Sequence, residues 1–279
     1  MSQALRYSLI VPLLLALYLS TFQSWASQEP PGFPRNSAGK EDLDWNAFLG
    51  EVRKKALRFT DDLPNFICRQ VTRRYVDPLG GNQWQRQDTV EAELGYNQRE
   101  ERYSEVMING RPTAKRFESI GNALSVGEFG SILRLLFVPE TRARFWKEGE
   151  EQFSGIRTIV IGFQVPQESS AWTLSYKNTH SLKVGYQGRI WADGRNQIVL
   201  RISQHTLQLP RYFPILHSET TTEYGYRVIA GLEGNSFLLP VAAEVVIRER
   251  ENQNRFSSRN LIEFRDFRRF TADVKLNAN

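Results

Sequence analysis

The sequence contains one cysteine and three histidines, which limits the chemistry that its side chains can perform. Cys68 has no second cysteine with which to form a disulfide, so the stability of the fold must come from packing. It stands in an apolar, strand-like segment, and we interpret it as a buried filler rather than a nucleophile. His180, His205 and His217 have no cysteine or carboxylate at ligand spacing in a shared motif. We therefore expect no metal site and no cofactor.

Motifs for covalent catalysis and for nucleotide binding are also missing. The sequence contains no G-x-S-x-G, G-x-G-x-x-G, H-E-x-x-H or EF-hand pattern. Ser125 lacks the glycine that precedes a nucleophilic serine at such a turn, and we interpret it as a helix cap. Asp61 and Asp62, or the acidic stretch 148–151, could serve as acid and base only if the fold gathered them in a cleft. We therefore expect no catalytic residues.

A long apolar run occurs only near the amino terminus, over Leu9–Leu19, and it is shorter than the roughly 20 residues that cross a bilayer. It follows Arg6 and precedes Ser24-Trp25-Ala26, which has small residues at the positions that signal peptidase reads. These features predict a signal peptide over residues 1–26, export to the periplasm or outside the cell, and no transmembrane segment after cleavage. The net charge of +5 falls to +4 without Arg6, and export removes nucleic acid as a partner.

The exported part is predicted to be a flexible leader over residues 27–41, rich in proline, glycine and serine, and a single β-rich domain over residues 42–279. From Asp44 to Phe59, apolar residues recur at steps of three and four, which predicts an amphipathic helix with Asp44 as its N-cap. Strict alternation of apolar and polar residues at 172–176, 181–186 and 223–228 predicts strands with one buried and one solvated side.

A second, inserted helix is predicted from Ser125 to Phe137, where Ser125 and Glu128 form a capping box. A short turn is expected from Thr141 to Trp146. About ten or eleven strands with short connections predict a meander, and the short spacing argues against parallel βαβ units. The fold class is therefore mainly β (α+β), a large antiparallel sheet with an N-terminal helix and an inserted helix.

This order of elements, together with Gly188–Asp193 followed by Ile198–Arg201 and with the closing stretch Asn260–Arg268, resembles the LolA/LolB-like superfamily of periplasmic lipoprotein carriers. Residues 64–75 and 260–270 also look like uncharacterised exported proteins of soil bacteria such as acidobacteria. The resemblance implies a sheet curved into an incomplete barrel that helices close, with an apolar cavity for acyl chains. It assigns no individual residue, and related folds serve other functions.

Three hypotheses for function follow. The first is non-catalytic binding of an apolar ligand, a lipid or lipoprotein acyl chains inside the half-barrel. The second is a structural or interaction module of the cell envelope that holds a protein partner through strand edges or its basic surface. The third is an uncharacterised hydrolase, which needs a cleft where His205 or His217 meets a carboxylate. For the first hypothesis the predicted lining residues are Phe129, Ile132, Leu133, Leu136, Trp172, Leu174, Tyr176, Tyr186 and Trp191.

Overall fold

The computed structural model describes residues 43–59, 61, 63–98, 100–120, 131–176, 180–251 and 254–270. The predicted signal peptide, the predicted leader and the capping box at Ser125 lie outside these residues, as does Phe129. From Leu43 onward the chain forms one compact unit. None of the described helices is long and apolar enough to cross a membrane.

Thirteen β-strands lie within the described residues. They are β1 (Phe66–Asp77), β2 (Gln85–Asn97), β3 (Glu100–Ile108), β4 (Arg111–Pro112), β5 (Arg144–Phe153), β6 (Ile156–Val165), β7 (Thr173–Tyr176), β8 (His180–Lys183), β9 (Tyr186–Asp193), β10 (Val199–Thr206), β11 (Ile215–Val228), β12 (Ser236–Glu251) and β13 (Asn254–Arg269). Eleven of them form one antiparallel sheet in the order β4-β3-β2-β1-β13-β12-β11-β10-β9-β6-β5, and β7 and β8 pair separately.

The strand order makes the large sheet open rather than closed. Its two end strands are β4 and β5, which do not pair with each other in the described part of the chain. This confirms the predicted class, a mainly β fold built on an incomplete barrel. The expected simple meander is wrong in one respect, because β1 lies between β2 and β13. Along the sequence, β1–β4 form one end of the sheet and β5 lies at the opposite end. The strands that follow β5 lead back toward β1, and β13 pairs with it.

Two α-helices are described, α1 (Trp45–Arg58) and α2 (Ser131–Phe137). The N-cap prediction for α1 is confirmed, because the Asp44 carboxylate accepts hydrogen bonds from the backbone N–H groups of Asn46 and Ala47, both at 3.1 Å. One face of α1 buries Phe48, Val52 and Ala56. The predicted second helix is present from Ser131 to Phe137, and its earlier part falls outside the described residues.

Both helices pack on one face of the sheet, which we call the inner face. There Phe48 and Val52 of α1 and Leu136 of α2 join a core cluster with side chains from β6, β9 and β10 such as Ile161 and Ile190. Because successive strand residues point to opposite sides, the neighbours of these residues, such as Arg189 and Trp191, lie on the opposite outer face. A second core cluster occupies the inner face of β1, β2, β12 and β13.

One predicted turn is instead part of a strand. The segment predicted as a turn from Thr141 to Trp146 is a short 3₁₀ turn only over Pro139–Thr141, and β5 begins at Arg144. Most residues of β5 are exposed, since it is an end strand of the sheet. It therefore lacks the apolar alternation by which a half-buried strand is recognised in a sequence.

Candidate functional site

A cleft of about 340 Å³ lies between the two helices and the end of the inner face formed by β10, β11 and β12. Its walls are mostly apolar. Leu63 packs against both large core clusters, so the cleft occupies the place where the two clusters meet. The apolar lining consists of Ala56, Phe59, Leu63, Leu133, Ile198, Val199, Phe237 and Leu238.

Side chains from both helices and from β12 converge on the cleft. Phe59, at the C-terminal end of α1, contacts the ring of Tyr224 edge to face, with 5.6 Å between the ring centroids. Leu133 points from α2 toward the sheet and is only 2% exposed. Phe237 and Leu238 come from β12, which pairs with β11 along their whole common length. The cleft therefore depends on the docking of both helices onto the sheet.

The rim of the cleft is polar and basic. Lys55 and Arg58 from the exposed side of α1 line it, as does Tyr226, which is 52% exposed. The Lys55 ammonium donates to the carbonyl of Asn196 and, at 3.2 Å, to the side chain of Gln197. These contacts connect α1 to the turn between β9 and β10.

Asp193 organises that turn. Burial by itself would raise the pKa of the Asp193 carboxyl, but hydrogen bonds from the backbone N–H groups of Arg195 and Asn196 outweigh it and lower the pKa. The donor to acceptor distances are 2.7 and 3.1 Å. Burial also raises the pKa of Tyr226, and the negative charge of Asp193 adds to that effect. The mouth of the cleft therefore carries two cations, Lys55 and Arg58, and Lys55 is hydrogen-bonded to the turn that Asp193 holds in place.

The inner face is not apolar throughout. In the middle of the sheet it carries buried polar side chains, among them Gln204, Thr206, Ser218, Thr220 and Asn260. They occupy matching positions on neighbouring strands, and the backbone N–H of Ser218 donates to the Thr206 hydroxyl at 3.2 Å. An apolar ligand would leave such groups without hydrogen bonds, which is costly. The apolar site is therefore limited to the cleft beside the helices.

Of the predicted lining residues that the structure describes, Leu133 lines this cleft. Leu136 and Tyr186 are buried in the core cluster beneath the helices, and Ile132 packs against that cluster. Burial raises the pKa of Tyr186 to about 12. Trp191 instead lies on the outer face, where its indole N–H donates to Glu151 at 2.7 Å. The structure thus brings the α2 residues together and separates Trp191 from them.

Trp172, Leu174 and Tyr176 belong to a satellite cluster beside the paired strands β7 and β8, and Trp172 also packs against the core cluster beneath the helices. Leu174 packs there with Val184, Phe213 and Ile215. Sequence reasoning recognised these strands but not their separate pairing. It missed Tyr226 and Phe237 as cleft residues, although the alternation through 223–228 placed Tyr226 on one side of a strand.

A second cavity, of about 440 Å³, lies on the outer face and is lined by polar and aromatic side chains from β5, β6, β9, β10 and β11. We call it the outer groove. Arg189 forms an ion pair with Glu148 at 2.7 Å, and the side chains of Gln187 and His205 are hydrogen-bonded at 3.1 Å. Its lining includes Trp146, Glu148, Gln187, Arg189, Trp191, Ser203, His205 and Glu219.

The pairing of β10 with β11 brings two histidines to the outer groove and its border. The rings of His205 and His217 are 5.7 Å apart, and His217 Nε2 is 3.6 Å from a carboxylate oxygen of Glu219. Burial lowers the pKa of His217 below its usual value of 6.5, and Arg248 and His205 act in the same direction, whereas Glu219 opposes them. The hydrolase hypothesis required such a meeting of histidine and carboxylate.

Of the described residues that line the outer groove, only Ser203 carries a hydroxyl. Ser203 accepts a hydrogen bond from Thr221 at 3.0 Å, and His205 Nε2 is engaged with Gln187. A nucleophilic serine donates its proton to a base within hydrogen-bond reach, and neither of these two contacts joins Ser203 to a histidine. Within the described ranges no group of three or more His, Cys, Asp or Glu side chains is placed to hold a metal ion.

Comparison with known proteins gives matches at the level of structure. No protein-family model matches the sequence. No curated protein sequence matches it either. The chain is similar to a LolA superfamily protein from Nitrosomonas europaea, with 9% identity, a TM-score of 0.38, and coverage of 82% of this chain and 97% of that one. A DUF1329 family protein from Desulfovibrio piger is matched with 11% identity, a TM-score of 0.38, and coverage of 82% and 94%.

A third match is the MucA/MucB complex of Pseudomonas aeruginosa, with 10% identity, a TM-score of 0.21, and coverage of 78% of this chain and 93% of that one. A structure of the LolA superfamily, which the sequence resembles, is therefore among the matches. At such low identities and TM-scores the matches carry no argument about function. The functional conclusion rests on the side chains of this chain.

Proposed function

We propose that this protein is exported and binds the hydrocarbon chain of an amphipathic acid, such as a fatty acid or a lipid acyl chain, in the cleft beneath α1 and α2. The observation that carries the proposal is the combination of apolar walls with two cations at the rim. The predicted signal peptide supports a periplasmic or secreted location. The binding involves no covalent chemistry.

The size and lining of the cleft suit a chain-like ligand. Its volume of about 340 Å³ falls within the range of small-molecule pockets, about 300–1,000 Å³. Each methylene group removed from water contributes about 0.8 kcal/mol. Phe59, Leu133 and Leu238 provide the apolar contacts against which such methylenes would pack. The buried polar side chains in the middle of the inner face set the limit to which an apolar chain would extend.

The rim favours an acidic head group over a neutral one. Lys55 and Arg58 are exposed on the same face of the last turns of α1, beside the cleft. A carboxylate or phosphate at the mouth would form a charge-assisted hydrogen bond with either cation. Arg58 offers a planar guanidinium that can hold both oxygens of such a group. We therefore propose that the hydrocarbon enters first and the head group stays at the rim.

The sheet edges disfavour the alternative of an interaction module that works by strand addition. The end strand β4 has only two residues, and one of them is Pro112, which has no N–H to donate. The other end strand, β5, is interrupted by an irregularity between Lys147 and Gly149 and carries many exposed charges. Both features are typical of edges protected from pairing with another chain.

Titration of the purified exported chain with palmitic acid and with hexadecanol tests the proposal, using displacement of a fluorescent fatty acid as the measurement. Leu133→Asp places a charge in the apolar wall and should weaken palmitate binding by more than about a hundredfold. The matched control is Leu135→Asp, two residues along α2, where the side chain is 39% exposed. Equal binding by the two variants, both folded by circular dichroism, would contradict the proposed place of binding.

The contribution of the head group to binding is tested with Arg58→Ala. We expect this variant to bind palmitate about fivefold more weakly, which corresponds to the free energy of one partly exposed ion pair, and to bind hexadecanol as the unmodified protein does. Equal losses for the acid and the alcohol would show that Arg58 acts through packing and not through its charge. Failure of the unmodified protein to bind either compound would overturn the proposed function as a whole.

A further inference from the structure

We propose that the outer groove is a binding site for a neutral saccharide, with the indole ring of Trp146 as the surface on which a sugar ring stacks. This site lies on the opposite side of the sheet from the apolar cleft. It shares no lining residue with the cleft, so a test of one proposal does not decide the other.

Trp146 is held flat by a glycine. In the β5–β6 pair, Trp146 lies directly opposite Gly162, and a Cβ atom at position 162 would collide with the Nε1 and Cε2 atoms of the indole. The indole N–H donates to Glu148 at 3.2 Å, which fixes the ring in its plane. The residue is nevertheless 42% exposed. The structure therefore presents an aromatic surface to solvent on a strand rather than on a loop.

A flat, exposed indole has a specific chemistry. The face of an aromatic ring carries partial negative charge and attracts the polarised C–H groups of a flat partner. A pyranose ring has such C–H groups on one face and hydroxyls around its rim. An exposed tryptophan that merely covered the core would be expected to turn its ring inward, but here the space beneath the ring is filled by the backbone at Gly162.

The polar side chains around Trp146 match the hydroxyl rim of a sugar. Glu148 holds Arg189 at 2.7 Å, which leaves other N–H groups of the guanidinium free to donate. The side chains of Gln187 and His205 are joined by a hydrogen bond, with 3.1 Å between the two Nε2 atoms. Glu219 adds carboxylate oxygens that accept hydrogen bonds. Planar side chains of this kind, held by one another before a ligand arrives, reduce the entropy lost when it binds.

The charges of the groove disfavour an anionic ligand. On the outer face Arg189 is paired with Glu148, and Arg201 lies 3.7 Å from Glu223. Trp191 at the far side of the groove has the Arg201 guanidinium over its ring, 5.2 Å from the centroid. The groove lining itself carries two carboxylates, of Glu148 and Glu219, and one guanidinium, of Arg189, so an anionic ligand gains no net attraction. The polar lining also makes the groove unsuitable for a hydrocarbon chain.

The test is isothermal titration calorimetry of the exported chain with cellohexaose, chitohexaose, maltohexaose and laminarihexaose. At least one of these should bind with a Kd below about 1 mM, the affinity of a small and partly open site. Tryptophan fluorescence should change on binding, because the sugar covers Trp146. Failure of all four oligosaccharides to bind would overturn the inference.

Three variants decide whether binding uses this surface. Trp146→Ala should weaken binding at least about tenfold, and Trp146→Tyr, which keeps an aromatic face, should restore much of it. Gly162→Ala removes no side chain but displaces the indole, so it should also weaken binding. Tyr212→Ala is the control, because Tyr212 is 81% exposed and lies outside the groove. Equal binding by Trp146→Ala and the unmodified protein would refute the assignment.

Discussion

The ion pair between Arg74 and Asp88 should be among the most costly to break. Arg74 donates from Nε and Nη2 to the two carboxylate oxygens of Asp88 at 2.6 and 2.5 Å, and from Nη1 to the carbonyl of Ile120 at 2.8 Å. The two side chains are only 7% and 13% exposed. Asp88→Ala would leave the guanidinium buried with the Ile120 carbonyl as its remaining partner. Removal of one partner from a buried pair costs about 3–5 kcal/mol.

Urea denaturation followed by circular dichroism measures that cost as a decrease in the free energy of unfolding. The control is Glu100→Ala, which removes the Arg102–Glu100 pair, where the side chains are 67% and 68% exposed. The control should change the free energy by less than about 1 kcal/mol. If Asp88→Ala cost no more than this control, then water would have to solvate Arg74 as it does a surface residue, and the reasoning from burial would be wrong. Replacement of both partners, Arg74→Met with Asp88→Leu, should recover most of the loss.

Three further results are expected. Burial raises the pKa of the Cys68 thiol, so iodoacetamide should not alkylate Cys68 in the folded protein but should alkylate it after unfolding. Mass spectrometry measures the alkylation, and rapid labelling of the folded protein would contradict the burial of Cys68. The lowered pKa of His217 means that the unfolded chain binds this proton more tightly than the folded one. The corresponding stability is complete above pH 6.5 and declines as the pH falls below it, and His217→Gln should flatten that part of the stability curve. Asp44→Ala removes the cap of α1 and should cost about 1 kcal/mol in urea denaturation, whereas no change would show that the helix does not depend on it.

The sequence predicted those elements whose signal is local. The stripe through Val52 and Ala56 and the cap at Asp44 were sufficient to predict α1, because a helix is defined by contacts three and four residues apart. The strands around Leu174 were predicted from alternation for the same reason. The strand β5 was missed because its exposed charged residues, such as Lys147, do not alternate with apolar ones. An end strand does not require that alternation.

The candidate sites could not be predicted to the same extent, because they depend on the register between strands. His205 and His217 are 5.7 Å apart only because β10 and β11 pair with His205 opposite Glu219. A shift of one residue would send one of these side chains to the other face of the sheet. Gly162 likewise has a role only once Trp146 lies opposite it. Leu133 was predicted because the apolar face of a helix is evident without knowledge of its partner strand.

The pairing of β1 with β13 also has a consequence for the order of events during synthesis. Arg73 and Glu263, which meet across these strands at 3.1 Å, are 190 positions apart in the chain. Contacts between such distant segments form late, because the closure of a long loop must precede them. A chain that is synthesised from its amino terminus therefore cannot complete the centre of its sheet until β13 has been made. Until then, the group β1–β4 and the group of β5, β6 and β9–β12 have no strand that joins them into one sheet.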